Sequence, residues 1–219
     1  MLLTFACLTS PHEMLEVSGL ACERGDVRLF SGLEFSLGEG GLLLVQGPNG
    51  SGKTSLLRLV AGLSRPAAGS IRWRGEDIAE LREGFARELL FIGHANAVKD
   101  ELSAEENLAI ALELCGRPTS PAARAQALER IGLAARARLP ARYLSQGQKR
   151  RVALARLCLA AEVPLWILDE PFAALDARAL EAVVELVDGH LAHGGAVILT
   201  SHQEVAIAAP VRYAIALGI

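Results

Sequence analysis

The run Gly47-Pro48-Asn49-Gly50-Ser51-Gly52-Lys53-Thr54 fits the pattern G-x-x-x-x-G-K-T, and no other feature of the chain limits its fold so tightly. Glycines at 47, 50 and 52 let the backbone curl so that successive N–H groups face phosphate oxygens. Lys53 supplies a point charge for the β- and γ-phosphates of a nucleotide. The Thr54 hydroxyl suits a Mg²⁺ ion bridging them. Such a loop works between a strand and a helix. Apolar Gly41–Gln46 precedes it and reads as a buried strand, and Ser55–Gly62 follows as a helix closing at glycine. The nucleotide-contacting candidates here are Gly47, Pro48, Asn49, Gly50, Ser51, Gly52, Lys53, Thr54 and Ser55.

A second constellation narrows the chemistry. Leu165-Trp166-Ile167-Leu168-Asp169-Glu170-Pro171 is an apolar strand ending in two acids, with proline stopping it. The carboxyl end of a parallel strand lies beside the phosphate loop. Asp169 is placed there to hold Mg²⁺, and Glu170 to polarise a water attacking the γ-phosphate. Ile198-Leu199-Thr200-Ser201-His202 is another apolar strand, running on to a histidine. Between the two, Ala174-Leu175-Asp176 leads into a long helix, Arg178–His193, that ends at Gly194-Gly195.

Leu144-Ser145-Gln146-Gly147-Gln148 opens a further helix, read as Gln148–Leu159. Ser145 suits a cap, and the free N–H groups of a helix start also suit an anion. This segment resembles the signature of the ATP-binding-cassette family. The motif order resembles that family from about Leu15 to about Leu217, with Ala174–Asp176 as its D-loop and His202 as its switch histidine. The guanine-reading N-K-x-D of GTPases is absent. The resemblance implies an α/β phosphate-loop fold with an antiparallel β subdomain and a helical subdomain. Residues 1–219 would form one ATP-binding domain, with roughly residues 95–145 as the helical part. It also implies ATP and Mg²⁺ as ligands and a head-to-tail homodimer. Each site would take the phosphate loop, Asp169, Glu170 and His202 from one chain, and Ser145, Gly147 and Gln148 from the other. Glu170 and His202 would be catalytic, and Thr54 and Asp169 would hold the metal.

Two positions depart from the cassette pattern. His94, in Ile92-Gly93-His94, stands where the family presents a glutamine, and imidazole suits Mg²⁺ poorly. Arg24 stands where many members stack an aromatic residue on adenine, and a guanidinium can stack there too. With Leu20–Arg24, Leu29–Leu33, Gly62–Pro66 and Leu165–Phe172, these features are similar to the haem-exporter branch of the family, the ATP-binding subunits of cytochrome c maturation. That likeness implies a peripheral ATPase on the cytoplasmic face of the bacterial inner membrane, joined to integral membrane subunits. Haem would not be bound directly, since no C-x-x-C-H occurs. A different transporter cargo and a non-hydrolytic scaffold stay open as alternatives.

Composition agrees with these expectations. The 219 residues can bury a good core. Although 51% are hydrophobic, no apolar stretch approaches a membrane span. A net charge of −3 does not favour nucleic acid. The arginines between Arg117 and Arg142 therefore read as a solvated helical face. Cys7, Cys22, Cys115 and Cys158 form no C-x-x-C and read as reduced packing residues. Met1–Glu13 lacks a basic start and is not expected to be a signal peptide, and Met14 is a second possible start. Strands are expected at Leu15–Cys22, Leu29–Leu37, Gly69–Trp73 and Leu89–Ile92. A capping box at Ser103–Glu106 is expected to open a helix running to Leu114.

Overall fold

The computed structural model describes residues 13–218. The readings of Met1–Glu13 as no signal peptide, and of Cys7 as a packing residue, fall outside them almost entirely. Strands β1 (Glu13–Arg24) and β2 (Val27–Gly38) pair antiparallel, each longer than its apolar run suggests. β3 (Gly41–Gln46) leads to the phosphate loop and α1 (Lys53–Val60). Then come β4 (Ala68–Trp73), β5 (Glu76–Asp77), the short helices α2 (Ile78–Leu81) and α3 (Glu83–Arg87), and β6 (Leu89–Ile92). The helices α4 (Ala104–Leu114), α5 (Pro121–Arg130) and α6 (Gln146–Leu154) follow. β7 (Leu165–Asp169), α7 (Ala177–Ala192), β8 (Ala196–Thr200) and β9 (Val211–Ala216) complete the chain.

Two sheets result. One is antiparallel, ordered β2-β1-β4-β5, and the other is parallel, ordered β6-β7-β8-β3-β9. β7 and β8 are buried throughout because the parallel sheet is covered on both faces. Their side chains alternate between two cores. Leu165, Ile167, Ala196 and Ile198 face α1 and the antiparallel sheet. Trp166, Leu168, Val197 and Leu199 face α7. β6, at the sheet edge, alternates buried with half-buried positions.

A third core joins α4, α5 and the later part of α6 through Leu108, Leu112, Leu128, Ile131 and Val152. The capping box at Ser103 and Glu106 opens α4, as the sequence suggests. Two helix starts need correction. α1 begins at Lys53, two residues before Ser55, because positive-φ Gly52 already serves as its N-cap. α6 begins at Gln146, directly after the Ser145 cap, and gives way to a 3₁₀ turn over Ala155–Leu159. Among the described residues, no helix is long and apolar enough to cross a membrane.

Candidate active site

The parallel strands β3, β7 and β8 end side by side, and their carboxyl ends build the site. β3 delivers Gly47, whose φ is 143°. A Cβ there would lie 2.4 Å from the Leu217 carbonyl oxygen, so only glycine fits. The loop closes with Ser51 N–H donating to Pro48 O at 3.2 Å. Lys53 Nζ donates to Gly47 O at 2.7 Å and to Pro48 O at 3.1 Å, which holds the ammonium over the loop. No side chain caps the start of α1, so its first N–H groups and positive dipole end are directed to the loop.

β7 ends at Asp169, which is 2% exposed. Its carboxylate accepts from Thr54 Oγ1 through Oδ2 at 2.8 Å and from Thr200 Oγ1 through Oδ1 at 2.8 Å. The Thr200 hydroxyl in turn accepts from the Glu170 N–H at 2.8 Å. Glu170 has φ 51°, a value side-chain-bearing residues rarely adopt, and precedes Pro171. Glu170 Oε2 accepts from the His202 N–H at 3.3 Å, and Oε1 lies 3.5 Å from His202 Nε2.

These groups surround a cavity of about 510 Å³ lined by Arg24, Asn49, Gly50, Gly52, Lys53, Thr54, Ser55, His94, Asp169, Glu170 and His202, with Leu29 and Ala173. Six separate stretches of the chain thus meet at one opening. Gly47, Pro48 and Ser51 shape the loop behind it. Thr54 and Asp169 offer hard oxygen donors 2.8 Å apart, which suit Mg²⁺ better than the His94 imidazole does. Among the described residues, no three His, Cys, Asp or Glu side chains form a metal cage. A metal here would need oxygens from the ligand as well.

Ser145, Gly147 and Gln148 do not line this cavity. Ser145 caps α6, its Oγ accepting from the Gln148 N–H at 3.2 Å while Gln148 Oε1 accepts from the Ser145 N–H at 2.9 Å. The cap reading of Ser145 therefore holds. Gly147 packs against the segment after Glu170, where a Cβ would meet the Ala174 carbonyl oxygen at 2.4 Å.

Two residues at the site were not visible as such in the sequence. Thr200 looked like the end of an apolar strand. Arg150 looked like part of a basic run with Lys149 and Arg151, yet it is 4% exposed and bonds the strand end. Burial pushes its pKa down, against the opposing pull of Asp169 and Glu170. Only an arginine inside an otherwise apolar helix face, beside Val152, Ala153 and Leu154, hinted at this.

A phosphate loop at the end of a parallel strand, beside an acid pair and a histidine on neighbouring strands, defines a phosphate-loop nucleotide hydrolase. Residues 30–173 match the ABC transporter family model. The chain belongs to the ABC transporter family as an ATP-binding, ATP-hydrolysing subunit. It is 50% identical to the cytochrome c biogenesis ATP-binding export protein CcmA of Dechloromonas aromatica, over 94% of this chain and 100% of that one. It is 53% identical to the protein of the same name in Nitrosomonas europaea, over 90% and 92%. Among solved structures, a putative ABC transporter ATP-binding protein from Pyrococcus furiosus superimposes with TM-score 0.77 at 26% identity, over 91% and 96% of the chains. An ATP-binding subunit of an ABC transporter matches with TM-score 0.75 at 29% identity, over 86% and 79%.

Proposed function

We propose that this chain powers a haem exporter of cytochrome c biogenesis; its relatives bear the name cytochrome c biogenesis ATP-binding export protein. The observation that carries the hydrolytic part is the Glu170 carboxylate, held in the nucleotide cavity 3.5 Å from His202 Nε2. ATP enters with its triphosphate along Gly47–Thr54. Lys53 neutralises the β- and γ-phosphates, and Arg24 stacks on the base. Thr54 and Asp169 would hold Mg²⁺, which when bound draws the phosphate oxygens into line and offsets their charge. Glu170 takes a proton from the attacking water, and His202 contacts the γ-phosphate and orients that water.

Subunits of this family work as pairs at their nucleotide sites and join membrane subunits. In this chain Ser145, Gly147 and Gln148 serve the partner's nucleotide, in keeping with their place outside their own cavity. The whole chain acts as one domain, with roughly residues 95–145 as the lobe that the membrane subunits move against. His94 links that lobe to the site and hydrogen-bonds water rather than the metal. The protein works at the cytoplasmic face of the inner membrane, binds neither haem nor nucleic acid, and drives release of a haem-loaded carrier.

Deleting the gene and staining membranes for covalently bound haem tests this reading. Loss of stained c-type cytochromes, restored by the parental chain and not by Lys53→Ala, is expected. Normal staining in the deletion strain would assign the ATPase to another cargo.

A further inference from the structure

Arg150 lies on α6, five positions beyond the Ser145 cap and buried at 4% exposure. Its Nη1 donates to Gly93 O at 2.8 Å and Asn96 Oδ1 at 3.4 Å. Its Nη2 donates to Asp169 O at 2.7 Å and Glu170 O at 2.9 Å. A buried guanidinium is costly unless its donors are used. Here its partners are carbonyl and amide oxygens, so what the charge secures is backbone geometry.

The two carbonyls on Nη2 belong to the peptide units on either side of the Glu170 Cα. One turns with the φ of Glu170 and the other with its ψ. That φ is 51°, a disfavoured value for glutamate, and Pro171 restricts the residue further. Such a conformation persists only when its surroundings over-determine it. Thr200 holds the N–H of Glu170 from β8, and Arg150 holds both carbonyls from α6. Through Gly93 the same side chain also grips the loop that carries His94.

We propose that Arg150 is a positioning residue for hydrolysis: it fixes the peptide units flanking Glu170 so that the carboxylate points into the nucleotide cavity, and it ties them to the His94 loop and the signature helix. The inference rests on Glu170 being the general base. It makes α6 a rigid link between the face offered to a partner's nucleotide and the base of the chain's own site.

The test uses the full chain carrying Arg150→Gln or Arg150→Lys, each also combined with Glu170→Gln. Thermal melting and the affinity for a fluorescent ATP analogue establish folding and binding, and kcat and KM are then measured. Arg150→Gln should lower kcat by about tenfold or more, with KM and analogue affinity within about threefold. Arg150→Lys, which keeps a cation but loses the planar fork, should recover part of the rate. With Glu170→Gln present, the further loss from Arg150→Gln should shrink to about twofold or less, because the two residues act on one step. Equal losses in both backgrounds would overturn the proposal. So would a defect confined to KM or affinity, or failure of both Arg150 variants to fold, which would make the residue structural. Failure of the base assignment shows separately, as parental turnover in Glu170→Gln alone, and the proposal falls with it.

Discussion

Asp169 accepts a 2.8 Å hydrogen bond from the Thr200 hydroxyl, which joins the ends of two neighbouring parallel strands inside the site. Because the same hydroxyl accepts from the Glu170 N–H, one fully buried oxygen orders both acids. Thr200→Val keeps the shape and removes the oxygen. It strands Asp169 Oδ1 and the Glu170 N–H, which should cost about 1–3 kcal/mol of stability. Urea unfolding measures that loss, and an unchanged midpoint would remove Thr200 from the account.

Gly147 leaves no room for a side chain between α6 and the segment after the acid pair. Gly147→Ala puts a methyl group 2.4 Å from the Ala174 carbonyl oxygen, a backbone atom that cannot swing aside, so α6 must shift. Stability should fall by about 1–3 kcal/mol. ATP turnover should drop, while a fluorescent ATP analogue still binds the intact phosphate loop. A variant with parental turnover would show that the α6 start can move freely.

His190 supplies a pH dependence. Its ring stacks on Trp166 with centroids 3.9 Å apart, and burial pulls its pKa down from 6.5 to about 4. The folded state thus refuses a proton that the unfolded chain accepts. The group leaves stability undiminished above about pH 6.5 and costs progressively more as pH falls toward 4. His190→Phe removes the titration. The stability difference between pH 7.5 and 4.5, from urea unfolding, should be smaller in the variant by on the order of 2 kcal/mol. Equal differences would show that His190 does not contribute to acid sensitivity.

The sequence carried the site's local parts and missed its cross-links. The phosphate loop is contiguous, and its glycines are dictated by positive φ and by the approach of Leu217, so the pattern is readable in one window. Strands β7 and β8 show as apolar runs because both of their faces are buried. Arg150 and Thr200 could not be read this way. Their partners lie 19 to 57 and 30 to 31 positions away, and the apolar neighbours of Arg150 are only a weak local sign of its burial. The start of α6 is hidden in the sequence because Gly147, a poor helix former, sits in its first turn, where the Ser145 cap and contact with Ala174 outweigh its propensity. α2 and α3 are too short for a helical period to register.

Glu170 is proposed as the base of a site closed by two chains. The most direct measurement is the mass of Glu170→Gln by light scattering with and without MgATP, alongside its rate of phosphate release. Unimpaired ATP binding, hydrolysis slowed by roughly a hundredfold or more, and a dimer that accumulates only with MgATP are expected. A monomer that releases phosphate at the parental rate would contradict both the base and the two-chain site.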